Sequence, residues 1–81
     1  MRGVALFTKL QGQYLALIAA YTKVNGRPPA ETDLARYFKV TPPSVHQMIL
    51  TLARKGLIGR TPRDARSIEV LVPREQIPEL K

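Results

Sequence analysis

Leu10, Tyr14, Leu17, Ile18 and Tyr21 recur at i, i+4, i+7, i+8 and i+11, the spacing of one helical face. Thr8 and Gln11 stand at capping-box spacing just ahead of that run, so the helix is expected to start from Thr8. Gly26 after Asn25 supplies a stop, and Pro28-Pro29 bars continuation. Gly12 lies inside the helix and is expected to weaken its first turn by roughly 1 kcal/mol relative to alanine. A second, short helix is predicted from about Glu31 to Phe38. Glu31 and Asp33 suit its positive end, and Leu34, Ala35 and Phe38 give it one apolar side. Lys39-Val40 then forms a turn. Thr41 is a good N-cap, and Pro42 suits the first helical position, where a missing N–H costs nothing. Val45, Met48, Ile49, Leu52 and Ala53 share one face of this third helix, which Gly56 ends after Arg54-Lys55.

The period changes beyond Gly56. Leu57 to Thr61 is extended in character, and Pro62-Arg63-Asp64-Ala65 carries turn residues. In Arg66 to Val72 the apolar residues Ile68, Val70 and Val72 alternate, as in a half-buried strand. Two strands round a basic turn read as a hairpin. Pro73 and Pro78 break the rest of the chain into an irregular tail. The expected fold is therefore α+β and mostly α: a three-helix winged helix-turn-helix with a C-terminal two-stranded β-hairpin as the wing. Residues 1–72 are expected to form this domain and residues 73–81 the tail.

Composition narrows the class. A chain of 81 residues has room for one domain. Its hydrophobic content of 44% is enough to fold, and without cysteine neither disulfides nor thiolate metal sites are available. A net charge of +7 implies a polyanionic partner. No apolar run approaches the roughly 18 residues that span a bilayer. Met1-Arg2-Gly3 does not begin a signal peptide. The expected location is cytoplasmic and nucleoid-associated, with no membrane partner.

With Val45 at the centre of the buried face, Ser44, Gln47, Thr51 and Arg54 fall on the outer side, with His46 at its edge. Short polar groups followed by a cation suit a recognition helix, although an ordinary solvated face has the same composition. Gln47 is the main candidate for base reading, because its amide can bond an adenine edge as both donor and acceptor. Charge placement favours the DNA reading. From Leu34 through Arg66 seven cations (Arg36, Lys39, Arg54, Lys55, Arg60, Arg63 and Arg66) face one anion, Asp64. They gather on the end of the third helix and the hairpin, as a phosphate footprint requires. Leu50 projects outward without an assigned role. His46 is the single histidine, so no metal site is expected, and no catalytic set or phosphate loop is found. Neither an enzyme, a cofactor nor a small-molecule ligand is indicated. Tyr14 and Tyr21 share a face with Leu10, Leu17 and Ile18, which favours packing over base stacking.

Gln13-Tyr14-Leu15, Gly26-Arg27-Pro28-Pro29, Asp33-Leu34-Ala35, the run from Leu52 to Ile58, and Ala65-Arg66-Ser67-Ile68 together resemble the N-terminal DNA-binding domain of LexA-type repressors. The resemblance runs from about Thr8 to Leu71. It is sharpest in Leu52-Ala53-Arg54-Lys55-Gly56-Leu57-Ile58, a helix end that other winged-helix regulators share. It implies a winged helix-turn-helix that binds operator DNA and represses transcription. The family's reading residues fall, by position, on Thr41, Pro43, Ser44, His46 and Gln47. Pro43 stands where the family often has asparagine, and His46 and Gln47 replace acidic residues, so the operator is expected to differ from the SOS-box consensus. Ala30 replaces the usual threonine cap of the second helix. With the chain stopping at Lys81, the family's self-cleaving peptidase domain is expected to be absent, and with it autocleavage, that domain's dimerisation and a DNA-damage role.

The leading expectation is a sequence-specific regulator of transcription, a repressor, bound to double-stranded DNA as a monomer or homodimer. Its DNA-binding residues would be Thr41, Pro43, Ser44, His46, Gln47, Thr51, Arg54, Lys55, Arg60, Arg63 and Arg66. The helix from Pro42 to Lys55 would enter the major groove, and the wing would meet backbone or minor groove. An architectural or replication-associated DNA-binding protein with little sequence preference stays open, as does a winged-helix protein-interaction module.

Overall fold

The computed structural model describes residues 6–81. The reading of Met1-Arg2-Gly3 therefore lies outside the described residues. Three helices, α1 (Lys9–Asn25), α2 (Glu31–Phe38) and α3 (Pro42–Arg54), precede two short antiparallel strands, β1 (Ile58–Gly59) and β2 (Glu69–Val70). Ile58 pairs with Val70 and Gly59 with Glu69, and the Leu71 N–H continues the ladder to the Leu57 carbonyl at 2.9 Å. This is the expected winged helix-turn-helix. The strands are shorter than the sequence suggests, because the chain from Arg60 to Ile68 leaves the ladder to build the loop of the wing.

Local chemistry fixes the helix ends. The Thr8 hydroxyl accepts from the Gln11 N–H at 3.1 Å, and Gln11 Oε1 accepts from the Thr8 N–H at 3.0 Å, closing the capping box. Gly26, at φ 76°, ends α1 in the left-handed region that glycine enters freely. Ala30 has no side-chain oxygen to cap α2. Half of the box survives instead, with the Asp33 carboxylate accepting from the Ala30 N–H at 2.8 Å. Lys39 closes α2 in the left-handed region, φ 58°, and Thr41 caps α3 by accepting from the Ser44 N–H at 3.3 Å.

One core joins the elements. Tyr14, Leu15 and Ile18 of α1 meet Leu34 of α2, Val45, Ile49 and Leu52 of α3, and Leu57, Ile58, Ile68 and Val72 of the hairpin. Tyr14 stacks on Phe38 with ring centroids 4.3 Å apart, a pairing worth about 1 kcal/mol beyond its burial. Leu10, expected on the buried face of α1, is 53% exposed, whereas Leu15 is fully buried. The face is rotated because α1 is apolar on more than one side, so its partners choose the buried stripe. Gly12 has a role beyond weakening a turn. A Cβ there would lie 2.9 Å from Pro78 Cγ and 3.0 Å from the Phe7 ring. The chain after Val72 makes a 3-10 turn at Arg74–Gln76 and crosses α1 at this glycine. Gln13 holds it by donating from Nε2 to the Glu79 carbonyl (2.9 Å) and accepting from the Lys81 N–H (2.7 Å). Ile77 and Leu80 pack on the core.

Candidate nucleic-acid interface

The α2–turn–α3 unit sets out the first part of the site. With Val45, Ile49 and Leu52 committed to the core, helical geometry leaves Pro43, Ser44, His46 and Gln47 outward, and all four are exposed. Pro43, Ser44, Gln47, Met48 and Thr51 line a shallow groove whose far wall is Gln11 of α1. The hydroxyls at either end are engaged locally. Thr41 Oγ1 and Ser44 Oγ share a hydrogen bond of 2.9 Å, and Thr51 Oγ1 donates to the Gln47 carbonyl at 2.9 Å. The Gln47 amide has no side-chain hydrogen bond among the described residues, so both its donor and its acceptor are available.

His46 is not free in this sense. Its Nδ1 lies 3.2 Å from each carboxylate oxygen of Glu31, at the start of α2. Sequence reading placed Glu31 only as a favourable charge at a helix end. The contact spans fifteen residues, and no local pattern signals it.

The wing is a shaped loop. The Asp64 N–H donates to the Thr61 carbonyl at 3.1 Å, closing a turn with Pro62 at its second position and Arg63 at its third. Arg63 takes φ 72°, where a type II turn normally has glycine. Ser67 Oγ accepts from the Thr61 N–H at 2.8 Å and lies 3.0 Å from the Thr61 and Asp64 carbonyls, to which it offers its proton. The Asp64 carboxylate accepts from the Arg66 N–H at 3.1 Å. These bonds hold Arg60 and Arg63 on one side of a cleft of about 390 Å³, which His46 and Glu31 also line. His46 near the start of α3 and the tip of the wing thus converge. Arg54, Arg60 and Arg63 make no side-chain hydrogen bond or ion pair among the described residues.

Two of the expected cations are occupied. Lys55 Nζ donates to Gln11 Oε1 at 2.8 Å, which ties the end of α3 to the start of α1 and leaves further ammonium protons for a second partner. Arg66 Nη1 donates to the Pro28 carbonyl and to Asp33 Oδ2, both at 3.2 Å. Side-chain hydrogen bonding with Tyr21, then the Asp33 charge, raises the Arg66 pKa further, against partial burial. Asp33 is held below the usual carboxylate range, first by the Ala30 N–H and then, against burial, by the charges of Arg66 and Arg36. Among the described residues no helix is long and apolar enough to cross a membrane.

Residues 5–67 match the family model of the LexA DNA binding domain. The chain is 37% identical over 70 residues to the LexA repressor of Thermosipho melanesiensis, covering 86% of this chain and 35% of that protein. It is 39% identical over 64 residues to the LexA repressor of Thermosipho africanus, covering 79% and 32% respectively. With the LexA repressor of Magnetococcus marinus it shares 38% over 72 residues, covering 89% and 30%. The chain spans about a third of the length of these relatives.

Proposed function

As the chain belongs to the LexA DNA-binding domain family, we propose that it is a sequence-specific double-stranded DNA-binding repressor of transcription that reads the major groove with the start of α3. One observation carries this reading. His46 at the start of α3 lines one cleft with the unpaired wing arginines Arg60 and Arg63, while its neighbours Pro43, Ser44 and Gln47 line a second groove along the same helix. Pro43 and Gln47 meet base edges, with Gln47 suited to adenine. Thr41 and Ser44 keep the helix end in shape, and the hydroxyl proton not used between them is left to donate to a phosphate. Arg54, Lys55, Arg60 and Arg63 supply the phosphate contacts. Arg66 acts behind them, fixing the wing against α2. Repression is the role named for the relatives, and it follows here from occupancy of an operator.

A selection from random duplex DNA tests the reading. Each enriched duplex is titrated against scrambled DNA at two salt concentrations. The expected result is a motif bound at least about a thousandfold more tightly than scrambled sequence. An inverted repeat in that motif would mean two copies acting as a homodimer on half-sites. Salt-sensitive binding without a motif would overturn sequence-specific repression in favour of an architectural role.

A further inference from the structure

We infer that Glu31 fixes the tautomer of His46 and thereby makes His46 a proton-gated reader of one base position. The inference rests on the DNA-reading role proposed above for the start of α3. His46 Nδ1 sits 3.2 Å from both oxygens of the Glu31 carboxylate. An ionised carboxylate only accepts hydrogen bonds, so the ring must carry its proton on Nδ1. In the neutral imidazole the other nitrogen, Nε2, is then an acceptor. Its complements in the major groove are donors, the N6 amino group of adenine and the N4 amino group of cytosine. Protonation leaves the Nδ1–H bond to Glu31 in place but turns Nε2 into a donor. Its complements become the major-groove acceptors, O6 and N7 of guanine, O4 of thymine and N7 of adenine. One ring in one orientation thus reads two chemically opposite edges.

The surroundings make the switch assignable. The charged groups facing His46 are Glu31 from α2 and Arg60, Arg63 and Asp64 from the wing, all of which line the same cleft. Of these side-chain types only imidazole ordinarily changes charge between about pH 5 and about pH 8. His46 is the only histidine in the chain. The ring is also reachable, since 47% of the side chain is exposed. Glu31 adds a second effect. While His46 is neutral, the carboxylate stands uncompensated beside the phosphate-binding arginines and opposes DNA. Protonation cancels that charge, so overall affinity rises as pH falls.

The test is duplex selection by the full chain at about pH 8 and about pH 5.5, on either side of the ordinary imidazole range. One position of the selected motif is expected to lose cytosine and gain guanine or thymine at the lower pH, with adenine tolerated at both because it carries a donor and an acceptor. The change in relative affinity should be about tenfold, the size of one good base contact. Glu31→Gln, whose amide can donate or accept, should make that position tolerant at the higher pH while the rest of the motif persists. His46→Ala should remove the preference at both pH values. Both side chains are partly exposed, so the variants should fold, and a thermal melt of each checks this. A motif that is the same at both pH values, or a pH change that survives in His46→Ala, overturns the inference and leaves the DNA-reading role standing. Absence of any motif at either pH overturns both.

Discussion

Arg66 turns its guanidinium inward to the Pro28 carbonyl and the Asp33 carboxylate, whereas Arg63, in the same loop, has no side-chain partner among the described residues. Each adds one charge to the basic stretch, and charge placement alone treats them alike. The surroundings separate them. Arg66 lies against a carboxylate that is only 16% exposed and needs a counter-charge, so its geometry is settled before any ligand arrives. Arg63 is exposed at the turn and, among the described residues, has no side-chain hydrogen bond to give up before it meets a phosphate. The root of the wing is stabilised by its cation, and the tip holds its cation in reserve.

The largest effect is expected from Arg66→Ala. It leaves a poorly exposed Asp33 carboxylate with only the longer contact to Arg36, at 3.5 Å, and the Pro28 carbonyl without the Arg66 donor, so Tm should fall by several degrees in a thermal melt. Acid sensitivity gives an independent readout. Because the Asp33 pKa is lowered in the fold, its ionised form stabilises fully above the ordinary carboxylate range. That stabilisation is lost as pH falls through the lowered value. Removing the Arg66 charge makes the lowering smaller, so the acid-unfolding midpoint of Arg66→Ala should move to higher pH. Unchanged Tm and acid midpoint would erase the distinction between root and tip.

Gln47→Ala sharpens the comparison from the side of α3. Discrimination at one base pair should drop by about 1–3 kcal/mol with little change in binding to scrambled DNA and none in Tm. Equal weakening on every sequence would move Gln47 to the backbone contacts. Arg63→Gly is the smallest and most diagnostic change, because it acts with opposite signs on stability and binding. The left-handed φ is relieved, which should stabilise the fold by up to about 1 kcal/mol after the added freedom of the unfolded chain is counted. Loss of the cation should weaken DNA binding and reduce the salt slope by about 0.9. Binding that is unaffected in Arg63→Gly would take the wing tip out of the phosphate footprint.

Features legible in the sequence are those fixed within a few residues. Thr8 with Gln11, Thr41 with Pro42, and Gly26 and Gly56 mark helix ends through chemistry confined to one turn, and the helices fall where these residues place them. Alternation in Ile68, Val70 and Val72 likewise marks the inner side of the wing. The buried face of α1 is not fixed locally, since Leu15 and Leu10 are equally apolar and only distant partners distinguish them. Bonds that shape the site lie further out of reach. Lys55 meets Gln11 across 44 residues and Arg66 meets Asp33 across 33. Glu31 and His46 each suit their own helix without reference to the other, so nothing in either segment announces the pair.

Gly12 and Pro78 touch across the surface of α1 with no space for a single added carbon. In evolutionary terms the two positions are one character. A lineage that acquires a side chain at 12 gains helix propensity but must move both the ring at 78 and the Phe7 ring, and one that keeps the rings in place keeps the glycine. Across descendants of this chain the two sites should change together, with Gln13 free to drift only in those where the strap has already let go.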